Sequence, residues 1–150
     1  MRVIPYVGFR IGALVHLAVE ARSVRAVARA SGIEPVPFAR RCVSGVIVRD
    51  GRIVPVFDLS RIASIWNEVP EGGGDQVIVV ASGEREAGLL ARGAETFTCS
   101  EEGESEDSGA ARPPAAVREA ILSGVRRVRG REFGILRVEA ALAAAEVPAD

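Results

Sequence analysis

The strongest constraint on the fold is a β-hairpin signal in residues 46–57. Asp50 and Gly51 stand between two apolar runs. This pair predicts a type I′ turn, because both central residues need a positive φ, which Asp tolerates and Gly favours. The turn sets three cross-strand pairs, which are Arg49 with Arg52, Val48 with Ile53 and Ile47 with Val54. Both faces of the hairpin are then apolar, so we expect it to lie inside the protein.

The rest of the chain has the pattern of a mainly β protein. Short runs rich in Val and Ile alternate with Gly, Pro and Asp, which is typical of small barrels or sandwiches. The predicted strands are residues 6–11, 15–19, 44–49, 52–58, 76–82, 86–91, 119–128 and 132–138. Helices are predicted at residues 22–30, 59–66 and 138–146, the last because alanine is the best helix former. Further hairpin turns are predicted at residues 82–86 and 129–131.

The length of 150 residues predicts one domain spanning residues 1–150. A glycine-rich break at residues 70–75 permits two sub-barrels. Residues 100–116 carry five acids followed by two prolines, and we expect a mobile acidic loop there. No apolar run approaches the roughly 20 residues of a membrane span, and no secretory leader pattern is present. The expected location is therefore the cytoplasm.

Catalytic and metal-binding motifs are not evident. The one histidine, His16, lies in an apolar stretch with nothing to orient its imidazole as a base. Cys42 and Cys99 are far apart in sequence, without the spacing of a metal site. The acids at 101–107 lack the alternating pattern of a calcium loop, and the glycines at 72–74 lack the Lys of a phosphate loop. We expect no enzymatic activity, no cofactor and no metal.

A cluster of arginines remains as a candidate for another class of function. Residues 126, 127, 129 and 131 are all arginines, and a small barrel could bind nucleic acid through them. Only Phe133 is close enough to offer base stacking, and the net charge of the whole chain is −1. A solvated hairpin tip is the simpler interpretation. A contact with an acidic protein partner stays open.

Four stretches together resemble the CheW-like domain of bacterial chemotaxis coupling proteins and of the CheA histidine kinase. The first two are Phe9-Arg10-Ile11-Gly12 and the segment of residues 17–27, an apolar strand followed by Val24-Arg25-Ala26-Val27. The third and most specific is Gly45-Val46 through Pro55-Val56-Phe57-Asp58-Leu59, a Gly-Val hairpin that ends in the family's Pro-Val-Ile-Asp-Leu pattern. The fourth is the strand pair of residues 77–90. The resemblance spans about residues 6–147.

The resemblance implies two SH3-like five-stranded β-barrels packed on a shared core, with short helices that include one at the C-terminus. It also implies a protein without catalytic activity. Such a protein is an adaptor that joins the cytoplasmic tip of methyl-accepting chemoreceptors to the regulatory domain of a CheA-type histidine kinase. Other CheW-like domains are further possible partners. Neither nucleic acid nor direct insertion into a membrane is expected.

The partner-binding residues implied by the resemblance lie in two segments, and both depart from the family. The predicted set is Val24, Arg25, Ala26, Val27, Arg49, Asp50 and Arg52. The family usually has Asn-Leu-Arg-Gly at the hairpin turn, so Asp50 stands in the position of the family's Arg. Ala26 stands where many members carry an acid. An alternative function is therefore a diverged CheW-like protein that no longer binds the kinase, and binds a receptor or another CheW-like partner instead.

Overall fold

The computed structural model describes residues 2–12, 15–62, 73–100 and 121–146. Within these residues there are nine strands, three short 3-10 helices and one α-helix. The strands are β1 (Val3–Ile11), β2 (Val15–Glu20), β3 (Val24–Arg29), β4 (Val43–Arg49), β5 (Arg52–Phe57), β6 (Gln76–Ser82), β7 (Arg85–Ser100), β8 (Leu122–Val128) and β9 (Arg131–Leu136). The 3-10 helices are Ala21–Ser23, Ala30–Gly32 and Leu59–Arg61, and α1 is Val138–Glu146.

The strands form two five-stranded barrels that share the long strand β7. Barrel 1 has the order β3-β6-β7-β5-β4 and uses the first half of β7. Barrel 2 has the order β7-β1-β2-β9-β8 and uses the second half of β7. The barrels therefore interleave along the chain, and β5 and β6, on either side of residues 70–75, both belong to barrel 1.

The largest hydrophobic cluster contains residues of both barrels and of α1. It includes Phe9 from barrel 2, Leu89 from β7 and Leu142 from α1, all of them almost fully buried. Each barrel also has an interior cluster of its own. That of barrel 1 is aliphatic and is centred on residues such as Val54 and Val79. That of barrel 2 is largely aromatic, with Tyr6, Phe97 and Phe133. The predicted fold, two small barrels on a shared core with a C-terminal helix, is confirmed.

The structure confirms the predicted turn of the β4–β5 hairpin. Asp50 and Gly51 have φ of 51° and 76°, which are the positive values of a type I′ turn. The register pairs Arg49 with Arg52, Val48 with Ile53 and Ile47 with Val54, as predicted. The other two predicted turns are also present, between β6 and β7 and between β8 and β9.

The helix predicted at residues 22–30 is wrong, because residues 24–29 form β3. The apolar residues there fit a helical spacing, but in the structure every second side chain, those of Arg25, Val27 and Arg29, is exposed. Ala26 and Ala28 pack on the interior of barrel 1, whereas Arg25 and Arg29 are exposed. Pairing with the buried strand β6 satisfies the backbone of β3 and outweighs the weak helical preference of this short segment.

Other predictions differ in extent or lie outside the described residues. β7 continues to Ser100, nine residues beyond its predicted end, because its second half pairs with β1. The helix predicted at 59–66 is described only as the 3-10 turn Leu59–Arg61, and residues 63–72 lie outside the description. So does most of the acidic loop predicted at 100–116. No helix in the described part of the chain is long and apolar enough to span a membrane.

Asp58 explains why the hairpin motif ends in Asp-Leu. Its side chain is buried, with the residue only 3% exposed. The carboxylate accepts hydrogen bonds from the backbone N–H and hydroxyl of Ser60, from Nε of Arg61 and from the backbone N–H of Gly73. The backbone N–H of Asp58 in turn donates to the carbonyl of Cys42 at 2.7 Å. Asp58 therefore fixes the exit of β5 in barrel 1, which positions the hairpin.

Candidate functional site

The outer face of the β4–β5 hairpin is apolar and exposed to solvent. Val48 and Ile53 face each other across the two strands and are 69% and 72% exposed. The next pair on the same face, Val46 with Pro55, is half-buried. The expectation that the hairpin lies inside the protein is therefore wrong for this face. The opposite face, which carries Ile47 and Val54, packs into the interior of barrel 1. On the outer face, no described residue covers the side chains of Val48 and Ile53.

Barrel 2 contains a hairpin of the same construction, β8–β9, with different surface chemistry. The two central residues of its turn have φ of 53° and 78°, against 51° and 76° in β4–β5. The positions equivalent to Val48 and Ile53 are occupied by Arg127 and Glu132. These two form an ion pair, with Nη2 of Arg127 3.1 Å from Oε1 of Glu132. An exposed apolar pair is therefore not a requirement of the hairpin itself.

Arg49 ties the β4–β5 hairpin to the rest of barrel 1. Its Nη2 donates to the carbonyl of Arg25 on β3 at 3.3 Å. Its Nη1 lies 3.0 Å from Oδ2 of Asp50 and 3.8 Å from Oε1 of Glu86 on β7. Arg49 is thus a clamp between three elements, and its guanidinium is engaged within the chain. The turn residue Asp50 remains exposed.

A groove of about 360 Å³ runs between β3 and β4 and connects the two predicted segments. Small residues of β3 and of the following 3-10 turn form one wall, and β4 forms the other, with Val79 also contributing to the lining. Val48 lines this groove and also belongs to the exposed outer face of the hairpin. The structure therefore brings the segments around residues 24–29 and 47–53 to one side of barrel 1.

The predicted site residues divide into inward-facing and outward-facing groups. Val24 and Ala26 are half-buried and pack against the shared core and the interior of barrel 1. Arg25, Val27 and Arg52 are exposed, and Val27 is 47% exposed. Arg52 makes no hydrogen bond or ion pair with the residues that the structure describes. An acceptor for Arg52 must therefore come from outside this part of the chain.

Val48 and Ile53 were absent from the predicted set. The sequence contains the signal for their pairing, because the Asp-Gly turn fixes the register. It does not contain the signal for their exposure, which depends on which face of the hairpin the rest of barrel 1 covers. That choice follows from long-range contacts of β4 and β5 with β3, β6 and β7.

The structure assembles no catalytic centre around His16. The imidazole packs edge-on against Phe133, with ring centroids 5.3 Å apart. Its pKa is lowered from 6.5 by partial burial, then by the charges of Arg131 and Arg10, while Glu95 opposes the shift. No nucleophile is hydrogen-bonded to it within the described residues. These residues also contain no group of three or more His, Cys, Asp or Glu side chains that could hold a metal.

The arginines of the β8–β9 hairpin are largely engaged within the protein. Arg127 pairs with Glu132, and Arg131 pairs with Glu95 at 2.6 Å. Arg131 also lies over the ring of Phe133, 5.4 Å from its centroid. Guanidinium groups held in this way are poorly placed to contact phosphates. The structure gives no support to a nucleic-acid interface at this hairpin.

Comparisons with known proteins agree on one family. The family model described as the CheW-like domain matches residues 5–146. Among solved structures, the chain is similar to the scaffolding protein TtCheW from Thermoanaerobacter tengcongensis, with a TM-score of 0.70 and 20% sequence identity. That match covers 91% of this chain and 85% of the other, and at this identity it shows a common fold. No curated protein sequence matches the chain.

Proposed function

Because this chain belongs to the CheW-like domain family, whose members are scaffolds in chemotaxis signalling, we propose that it is a non-enzymatic adaptor. In this role it couples chemoreceptors to a CheA-type histidine kinase through protein–protein contacts. The absence of a catalytic arrangement around His16 in the described residues is in keeping with such a role. The proposed location is the cytoplasm, where receptor tips and kinase meet.

The exposed apolar face of the β4–β5 hairpin carries this proposal. Two large aliphatic side chains, Val48 and Ile53, stand side by side with most of their surface in water. Fully burying a side chain of this size is worth about 1.5–3 kcal/mol. A partner that covers both therefore gains roughly 2–4 kcal/mol, which is the scale of an interface hot spot. We assign this pair as the centre of the kinase contact.

Charged residues around the apolar pair supply orientation. Arg25 on β3 and Arg52 on β5 are exposed, and a guanidinium recognises a carboxylate through two parallel hydrogen bonds. Asp50 at the tip of the turn places one negative charge among them. The proposed contact surface therefore consists of Val27, Val48 and Ile53, bordered by Arg25, Asp50 and Arg52. A partner with an apolar patch edged by carboxylates fits this surface.

Asp50 also motivates a second candidate function. Its carboxylate is exposed at the tip of the hairpin, where it contacts only Arg49 within the described residues. In a complex it would repel carboxylates on a partner, and such like-charge contacts cost several kcal/mol. The second candidate is a CheW-like protein that has lost kinase binding and instead binds a receptor or another CheW-like domain.

A reconstituted signalling complex tests the two functions against each other. Receptor cytoplasmic fragments and the CheA-type kinase from the same organism are assembled on vesicles, and kinase autophosphorylation is measured with and without this protein. An adaptor makes the kinase activity respond to the receptor. If only the Asp50→Arg variant does so, the natural chain has lost kinase coupling and the second function holds. If neither does, while receptor and kinase respond to a known coupling protein, the adaptor function is wrong, and the second function is then wrong as well if the natural chain does not sediment with the receptor-bearing vesicles or bind another CheW-like domain.

A further inference from the structure

Barrel 1 is open between β3 and β4. Its strand order begins with β3 and ends with β4, and neither of them pairs with another of the nine strands on its outer side. The groove of about 360 Å³ lies in this gap, with a volume at the low end of pockets that hold small ligands. An open strand edge is a place where an extended peptide can add through backbone hydrogen bonds.

The open edge of β3 consists of the backbone of Val27 and Arg29. The N–H of Ala30 donates to the carbonyl of Asp75 at 3.0 Å, and antiparallel partners alternate between bonded and non-bonded pairs. Two residues earlier, Ala28 therefore also directs its N–H and C=O to β6. Those of Val27 and Arg29 point the other way, into the gap, where no described residue pairs with them.

The facing edge of β4 is already partly covered by the chain itself. The N–H of Glu34 donates to the carbonyl of Val46 at 2.8 Å, and the N–H of Val46 donates back to Glu34 at 2.9 Å. This pairing stops there, because the residues just before Ile33 form the 3-10 helix Ala30–Gly32 instead of an extended strand. The bridge shows that an extended segment pairs with an edge of this gap, and it leaves β3 with the longer open stretch.

The lining of the groove suits an apolar side chain and a carboxylate. The small side chains of Ala26 and Ala28 lie in it together with Val79, all from the interior cluster of barrel 1. Its charged residues are two cations, Arg29 and Arg49, and no acid lines it. Arg49 is engaged as a clamp. Arg29 is exposed and makes no hydrogen bond or ion pair with its side chain within the described part of the chain.

We propose that this gap binds an extended, acidic peptide segment of a partner protein, which adds to β3 as an antiparallel strand. Alternate peptide residues exchange backbone hydrogen bonds with Val27 and Arg29. A glutamate opposite Arg29 lies on the same outer face and pairs with its guanidinium. The peptide residue opposite Ala28 points to the barrel interior and is apolar. The proposal concerns a backbone edge and holds whether or not a kinase binds the β4–β5 hairpin.

Titration with a synthetic peptide and its N-methylated forms tests the proposal. The probe is the acetylated and amidated pentapeptide Thr-Glu-Val-Val-Thr, and binding is followed by the backbone amide resonances of Val27 and Arg29. We expect saturable binding with a dissociation constant below about 1 mM. An N-methyl group on the Glu or on the second Val removes an N–H that faces β3, and each should weaken binding about tenfold.

Methylation of the first Val is the matched control for the peptide, because its N–H faces away from β3. It should weaken binding less than about twofold. Equal losses from methylation at all three positions would overturn the addition to β3. So would the absence of saturable binding at about 5 mM peptide, five times the expected limit of the dissociation constant.

Variants of the protein test the charge pairing. Arg29→Gln should weaken binding about threefold, and the difference should vanish when the peptide carries Gln in place of Glu. Arg52→Gln removes an exposed arginine that does not line the groove, and it leaves the affinity unchanged. Equal effects of the two variants would contradict the assigned position of the glutamate. If the protein self-associates in sedimentation velocity and does not bind the peptide, the gap is an interface between copies and the proposal is overturned.

Discussion

The β4–β5 and β8–β9 hairpins have the same backbone conformation but carry different side chains on their outer faces. Both have type I′ turns with φ values within a few degrees of each other. The residue after each hairpin also makes the same backbone hydrogen bond, because the N–H of Asp58 donates to the carbonyl of Cys42 and that of Arg137 to the carbonyl of Ile121, both at 2.7 Å. On the outer face, however, one carries the exposed pair Val48 and Ile53, whereas the other carries the ion pair of Arg127 and Glu132.

The difference distinguishes side chains that the hairpin fold requires from side chains that are available to bind a partner. In barrel 2 the equivalent positions of the outer face are occupied by the polar pair Arg127 and Glu132. The fold of the hairpin therefore does not require the apolar pair Val48 and Ile53 in barrel 1. Exposed aliphatic side chains paired on one face form the kind of apolar patch that marks an interaction site. The inner faces differ as well, because Ile47 and Val54 pack into the interior of barrel 1, whereas the equivalent pair in barrel 2 is Arg126 with the buried Phe133.

The largest expected effect concerns the residues that follow the two hairpins. Asp58 and Arg137 occupy equivalent positions, but only Asp58 is buried, with its carboxylate accepting several hydrogen bonds. Asp58→Ala should lower the free energy of unfolding by about 3 kcal/mol, because it leaves buried donors unsatisfied. Arg137→Ala should change it by less than about 0.5 kcal/mol. Urea denaturation measures both, and equal losses would contradict the assignment of Asp58 as a structural anchor.

The second prediction transfers the apolar pair to barrel 2. In the double variant Arg127→Val with Glu132→Ile, the free energy of unfolding should change by less than about 1 kcal/mol, because this ion pair is half-buried and replacing such a pair with apolar side chains removes its desolvation cost together with its attraction. The new patch should increase self-association or nonspecific binding, as measured by sedimentation velocity. A variant that unfolds would show that the outer faces of the two hairpins are not interchangeable, and the comparison would fail.

The third prediction concerns the aromatic interior that distinguishes barrel 2. The pKa of His16 is lowered in the folded state, chiefly by burial and by Arg131 and Arg10, against Glu95. The unfolded chain therefore binds more protons as pH falls below 6.5, and stability is lost in that range. His16→Gln should make the free energy of unfolding less dependent on pH in the range just below 6.5, the ordinary pKa of histidine. Chemical denaturation in phosphate-free buffers measures this, and an unchanged slope would contradict it.

The smallest expected effect is at the first position of each turn. Arg129 and Asp50 both adopt a left-handed backbone, with φ of 53° and 51°, which an arginine tolerates less well than Asn or Asp. Arg129→Asn should therefore stabilise the protein by about 0.5 kcal/mol, whereas Asp50→Asn should have an effect close to zero. Thermal unfolding of the two variants provides the comparison, and a larger gain at Asp50 would contradict it.

The sequence predicts local features of the hairpins well. The Asp-Gly signal fixes the turn and the register of β4–β5, and Arg129-Gly130 gives the corresponding turn in barrel 2, because turn chemistry is a property of adjacent residues. Non-local features are predicted less well. Residues 24–29 become a strand only through pairing with β6, and the second half of β7 exists only through pairing with β1.

Prediction of the candidate site from the sequence is limited in the same way, because it also depends on contacts between distant parts of the chain. The resemblance to a family directs attention to residues 24–27 and 49–52, and the structure places both segments on one side of barrel 1. It also shows that Val24 and Ala26 face inward and that Arg49 is a clamp within the chain. The exposure of Val48 and Ile53 depends on which face barrel 1 covers, and no pattern of adjacent residues contains that information.

Calorimetric titration with the regulatory domain of a CheA-type kinase from the same organism tests the central claim most directly. The double variant Val48→Arg with Ile53→Glu gives β4–β5 the ion pair of β8–β9, and Arg127→Ser with Glu132→Ser is the matched control. We expect micromolar or tighter binding by the natural chain and by the control, and a loss of about thirtyfold or more in the double variant with stability retained. Equal binding by all three would contradict the assignment of this hairpin as the contact surface.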